Sequence, residues 1–183
     1  MSEPKLFMLL VGCKPAQRHT EQHDVYFGIS YHLKALKKDI NEFWPEALGK
    51  IHVDAWREVT SVGGSKITIV PKSKGILNQT EKLFFINLGG YQKGRFEEQH
   101  FALLTVSRNK TEATKEAKST VFFRHNQFGH AVTHIDDRYG IDVDDLHQIE
   151  EILPDNQKDK YSILIEPGHE MQEDEIHLGY LKL

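Results

Sequence analysis

The chain of 183 residues contains a single cysteine, Cys13. One thiol excludes an intramolecular disulfide framework and a cysteine-based zinc finger. Long apolar stretches are missing as well. The run near the N-terminus, Leu6-Phe7-Met8-Leu9-Leu10-Val11, is too short for a signal-peptide core and no small-residue cleavage pattern follows it. It is also far short of the roughly 20 residues that cross a bilayer, so it reads as a buried strand. The sequons Asn78-Gln79-Thr80 and Asn109-Lys110-Thr111 therefore carry little weight, and a cytoplasmic bacterial protein is the expected setting. Positive charge is not in excess: 23 Lys+Arg against 27 Asp+Glu leave a net −4. No nucleic-acid partner is expected on that balance, and no membrane partner either. Neither a Gly-x-Gly-x-x-Gly turn after a strand nor a Gly-x-x-x-x-Gly-Lys phosphate loop occurs, which argues against a nucleotide enzyme of standard type.

What is present is enough to fold. With 39% hydrophobic and 27% charged residues the chain can bury a core, and its length fits one domain or two small ones. It also carries eleven histidines.

The chain repeats itself. Sliding residues 5–30 by 77 positions onto 82–107 gives nine identities in 26 positions without a gap, among them Lys-Leu-Phe, Gly12 with Gly89, Arg18 with Arg95, and Glu-Gln-His. A further match at a shift of 82 sets His52-Val53-Asp54 on His134-Ile135-Asp136. The expected fold class is α+β: a tandem duplication of a β-β-α-β-β module, paired about a pseudo-two-fold axis into one domain with mainly antiparallel sheets. The first module covers 1–72, a linker 73–81, and the second module 82–183. Strands are expected at 5–12, 22–30, 50–60 and 66–70, then at 82–88, 99–107, 130–138, 160–166 and 176–182. Helices are expected at 31–43 and 110–123. Val62-Gly63-Gly64-Ser65 reads as a hairpin turn. In strand 50–60, alternation sets Ile51, Val53 and Ala55 on one face, with His52, Asp54 and Trp56 on the other.

Acidity is local. Residues 134–159 hold nine acidic and two basic side chains, net −7, which leaves −4 − (−7) = +3 for the remainder. This stretch is read as an acidic helical insertion near 140–158, with Asp142 capping a helix over 143–152. The Asp142-Val143-Asp144-Asp145 spacing is not that of an EF-hand.

Candidate chemistry rests on two motifs that each occur twice, Glu-Gln-His and His-x-Asp. Residues two apart on a strand share a face, so Glu21 pairs with His23 and His52 with Asp54. In the second copy Glu98 pairs with His100 and His134 with Asp136. Imidazole and carboxylate bind zinc, iron or manganese, or carry protons near neutral pH. Such pairs also serve simply to fix a loop or satisfy a buried polar group. The expected partner is a small molecule in a His/carboxylate-lined pocket between the repeats, with Zn, Fe or Mn as the candidate cofactor. A homo-oligomer is compatible with the sequence. Two alternatives stand beside this: a metal-dependent enzyme, with the ion as Lewis acid, or an interaction protein with no small-molecule site. Arg18 and Arg95, in equivalent loops, are candidate anion binders. Cys13 near His19 and His23 allows a Cys-His nucleophile, although Gly90 stands at its place in the second copy. Trp44, Trp56, Phe122, Phe123 and Phe128 are read as core.

Lys5-Leu6-Phe7, Glu-Gln-His-Asp-Val-Tyr-Phe-Gly-Ile (21–29) and Ile-His-Val-Asp-Ala-Trp-Arg-Glu-Val (51–59) together resemble a small bacterial family of duplicated modules, domain of unknown function 1543. That resemblance implies no activity. If the first strand is left out, the order β-α-β-β-β, opened by His23 and by His100, is similar to the paired modules of the vicinal-oxygen-chelate superfamily. There a His on the first strand of a module and a Glu on its last bind a divalent metal. His23 and His100 match the His. The last strands, 82–88 and 176–182, lack the central Glu, and His177 is the candidate replacement.

Overall fold

Alternation along the first apolar run builds the first sheet. The computed structural model describes residues 3–76, 78–92, 96–125, 131–132, 141–168 and 173–182. In it, β1 (Lys5–Cys13) turns Phe7, Leu9, Val11 and Cys13 to one face, all buried. β2 (Gln22–Ser30) follows, then a helical turn at Leu33–Leu36 running into α1 (Lys37–Phe43). Pro45 opens the next short turn and prevents α1 from continuing. β3 (His52–Glu58), β4 (Ser61–Val62) and β5 (Ser65–Pro71) complete the first stretch. The second comprises β6 (Lys82–Gln92), β7 (Glu98–Ser107), α2 (Lys110–His125), β8 (Ala131–Val132), β9 (Ile141–Gln148) and α3 (Ile149–Ile152). α4 (Asp155–Lys158), β10 (Tyr161–Pro167) and β11 (His177–Lys182) end it. The architecture is α+β with mainly antiparallel sheets and few helices. Among the described residues no helix is long and apolar enough to cross a membrane.

The chain divides into two units, 1–78 with 152–183, and 79–151. This corrects the expected second module over 82–183. β10 pairs along its whole length with β5, and β11 pairs with β3, so both return to the first unit. Strand pairing of this range leaves no local trace in sequence, because each strand satisfies its backbone equally well with any partner of matching pattern.

In unit 1 the strand order β11-β3-β1-β2 makes one sheet and β10-β5-β4 another. α1 and its flanking turns supply Leu36, Ile40 and Ala47 to a core shared with Phe7, Leu9, Val11, Tyr26, Ile51 and Val53, against which Trp44 and Trp56 pack. In β5 and β10 the facing residues Ile67, Ile69, Ile163 and Ile165 are all buried. The β4–β5 turn is made by Gly63 and Gly64, both at positive φ (57° and 75°), as a tight two-residue hairpin demands.

In unit 2, β6 is central, with β7 on one side and β9 and β8 on the other. Phe84, Ile86 and Leu88 of β6 pack on Ala113 and Ala117 of α2. Two alanines four apart present a flat face that lets the helix lie close to the sheet. Asn109 starts α2, its Oδ1 accepting the backbone N–H of Glu112 at 2.9 Å.

Two further expectations change. Residues 141–148 form β9, not the start of an acidic helix; only 149–152 is helical there. Of the strand expected at 130–138, Ala131–Val132 is a strand and the remainder lies outside the described residues. The β-α-β-β-β count also fails, because 82–88 belongs to β6, the central strand of unit 2 rather than a closing strand of unit 1.

Candidate functional site

One row of residues crosses the first sheet. Gly12 on β1 stands opposite His23 on β2 and opposite His52 on β3. Residues in register point to the same face, so the two imidazoles flank a strand position that has no side chain. Asp54 joins them through a β-bulge. Val53 pairs with Val11 and Ala55 with Leu10, which leaves Asp54 as the extra residue. The bulge also reverses the alternation beyond it, so Trp56 packs on the core and not on the His52 face, a correction to the expected pattern. Glu21 reaches in from the residue just before β2.

The four groups meet. His52 Nε2 lies 3.1 Å from Glu21 Oε1 and 3.3 Å from Asp54 Oδ1. His23 Nε2 lies 3.1 Å from Asp54 Oδ2 and 4.0 Å from Glu21 Oε2. The His52 side chain is only 6% exposed, against 28% for Asp54 and 43–44% for His23 and Glu21. Tyr180 of β11 covers the His52 ring, with centroids 4.2 Å apart and planes 26° apart. Asp54 Oδ2 is buried and accepts no hydrogen bond, although His23 Nε2 is at contact distance. Gly12 makes the hollow: a Cβ there would come within 2.6 Å of His52 Nε2 and 2.7 Å of Asp54 Oδ2.

Unit 2 carries a related row. Gly89 on β6 stands opposite His100 on β7 and opposite Asp142 on β9. β9 bulges at Asp144, since Asn87 pairs with Asp145 and Leu88 with Val143. His100 Nε2 lies 3.4 Å from Asp144 Oδ2 and 3.8 Å from Glu98 Oε2, and the ligand atoms of Glu98, His100 and Asp144 lie within 4.8 Å of one another. A Cβ on Gly89 would collide with the Asp144 carboxylate, with Cγ at 2.7 Å.

Thus Glu21, His23, His52 and Asp54 come together, as do Glu98 and His100. His134, Asp136 and Arg95 lie outside the described residues. The register sets Asp142 opposite Gly89, with Asp144 as the bulge residue nearby. Asp144, Gly12 and Gly89 were not singled out in sequence. The signal for the glycines was their identity in the repeat at strand interiors, where glycine is disfavoured. Arg18 is exposed in the β1–β2 loop. Cys13 is buried on the core face, its thiol pushed up by burial first and by the Glu21 charge second, against a smaller opposing effect of Lys50. That is the reverse of an activated nucleophile. His177 lies on β11 in unit 1, stacked on Trp56 at 4.0 Å, in a different unit from His100.

Residues 18–69 match the family model described as Domain of Unknown Function (DUF1543), the stretch that carries Glu21, His23, His52 and Asp54. The crystal structure of a protein Il1583 from Idiomarina loihiensis has the same fold, with a TM-score of 0.64 at 18% identity over 98% of this chain and 97% of that one. No curated protein matches the chain.

Proposed function

We propose that the chain is a cation-centred binding module in which Glu21, His23, His52 and Asp54 hold a divalent metal ion that in turn receives a small molecule. The observation that carries this is the gathering of two imidazoles and two carboxylates over the Gly12 hollow: His52 Nε2 meets Glu21 Oε1 at 3.1 Å and Asp54 Oδ1 at 3.3 Å, and His23 Nε2 meets Asp54 Oδ2 at 3.1 Å. The two Asp54 oxygens link the imidazoles, so a modest closing of the side chains would bring one donor atom of each onto a common ion with bonds of about 2.0–2.1 Å. Two imidazoles with two carboxylates suit zinc, iron or manganese. His52 and Asp54 are the fixed ligands, one stacked under Tyr180 and one set by a bulge. Glu21 and His23 are the exposed ligands, and Glu21, which precedes β2, is the one that gives way to water or to an oxygen of the bound molecule.

The same reading treats the two rows as copies of one module. Its support is the shared glycine, the shared bulge, and the Ile-x-Ile-x-Pro pattern common to β5 and β10.

The test is metal analysis of protein purified without a polyhistidine tag, before and after zinc loading. Zinc is expected to stay bound through gel filtration, with affinity falling at least about 100-fold in His52→Ala and about tenfold in Glu21→Gln. Zinc retention unchanged in folded His52→Ala and Asp54→Asn proteins would overturn the proposal.

A further inference from the structure

We infer that unit 2 contains a second divalent-cation site, formed by Glu98, His100 and Asp144, that is richer in oxygen than the first and so discriminates less sharply for zinc over manganese. The site is separate from the one proposed above. Only the contrast in metal preference rests on that proposal.

The geometry stands on three independent features of the fold. First, the three ligand atoms converge within 4.8 Å, with His100 Nε2 3.4 Å from Asp144 Oδ2. Second, they come from separate strands on either side of β6, so the cluster is not a chance run along one segment. Third, β6 has a glycine where a side chain would fill the site: even an alanine Cβ at Gly89 would overlap the Asp144 carboxylate. Glycine inside a strand interior lowers strand stability, and here it leaves room for groups that converge over it.

Among the described residues, unit 2 lacks the second imidazole of unit 1. Opposite Gly12 the flanking strand has His52, whereas opposite Gly89 it has Asp142. Unit 1 thus offers two imidazoles and two carboxylates. Unit 2 offers His100 with the carboxylates of Glu98 and Asp144. Imidazole favours zinc strongly over manganese, while carboxylate oxygen narrows the gap and suits manganese, magnesium and calcium. At matching positions the exposures are similar, 52% for His100 against 43% for His23 and 31% for Asp144 against 28% for Asp54, so the contrast in metal preference lies in the donor atoms.

The experiment uses the full chain with the first site disabled by His23→Ala and His52→Ala, and Mn²⁺ as the probe. Free Mn²⁺ is read by its solution paramagnetic resonance signal, and Zn²⁺ is titrated calorimetrically in parallel. This protein is expected to bind one Mn²⁺, and adding His100→Ala or Asp144→Asn should weaken that binding at least tenfold while circular dichroism stays unchanged. The Zn²⁺-over-Mn²⁺ affinity ratio should be at least about tenfold smaller than in the converse protein, in which His100→Ala and Asp144→Asn disable unit 2. The inference is overturned if Mn²⁺ is not bound, if it binds equally well in folded proteins with and without His100 and Asp144, or if the two ratios are equal. Loss of the first site shows separately, as zinc retention indifferent to His52→Ala.

Discussion

At the residue scale the two glycines carry the argument. An alanine in place of a strand glycine is ordinarily favourable by roughly 0.5–1 kcal/mol, because it restricts the unfolded chain. Gly12 does not adopt a positive φ, so its backbone has no objection to alanine. Space alone decides the sign. The new Cβ would meet His52 Nε2 at 2.6 Å, and the His52 ring is buried and pinned by Tyr180, so it cannot swing aside. Gly12→Ala is therefore expected to destabilise by about 1–3 kcal/mol and to abolish zinc binding at the unit 1 site. Urea unfolding of Gly12→Ala, His52→Ala and the double variant checks this. Because shortening His52 removes one of the two clashing partners, the double variant should lose less than the sum of the singles. A Gly12→Ala protein more stable than the parent would show that the hollow over β1 is open.

At the element scale, the bulges explain what was and was not legible. Glu21, His23, His52 and Asp54 could be grouped from sequence because period two on neighbouring strands needs no further information. The match of His134-Ile135-Asp136 to His52-Val53-Asp54 falls outside the described residues, and the strand beside β6 sets Asp142 opposite Gly89 where β3 sets His52 opposite Gly12. The bulge hid that strand. Val143 and Leu146 both pack on the unit 2 core, yet they are three residues apart, a spacing that reads as helical when no extra residue is suspected. The same slip put Trp56 on the wrong face of β3. Sheet edges show a related limit. β2 is an edge strand, and the outward N–H of Ile29 donates to Gln157 Oε1 at 2.6 Å, while Gln157 Nε2 donates to Asp39 Oδ2 at 2.7 Å. Gln157, 4% exposed, thus ties α4 to β2 and α1 and covers an edge that would otherwise offer itself for pairing. Nothing in the surrounding sequence marks it. Gln157→Leu leaves the Ile29 N–H buried without an acceptor, so a loss of about 1–3 kcal/mol in urea unfolding is expected. A change within about 0.5 kcal/mol would mean that water takes its place.

At the scale of the whole molecule, the order of folding units departs from the order of the chain. The linker expected over 73–81 places a break there, and unit 2 does begin within it, at Gln79. The return of residues 152–183 to unit 1 was not legible, because β10 and β11 carry the same patterns wherever they pair. Their return has a structural consequence. β5 has the two-residue β4 on one side and β10 on the other, and β3 lies between β1 and β11. Removing the last 32 residues would strip β5 of its full-length partner and expose the buried Ile67 and Ile69. It would also uncover His52 by taking Tyr180 away. A chain ending at Glu151 is therefore expected to lose cooperative unfolding of unit 1, to aggregate through the bared edges of β3 and β5, and to lose the zinc of the unit 1 site, while Glu98, His100 and Asp144 keep all their strands and their ion. Size-exclusion chromatography and limited proteolysis of the truncated chain test this. A peptide of residues 152–183 supplied in trans should restore protection to residues 1–78, since β10 needs only to meet β5 in register. A truncated chain that stayed monomeric and protease-resistant throughout would show that residues 1–78 suffice for unit 1, and that β10 and β11 merely decorate it.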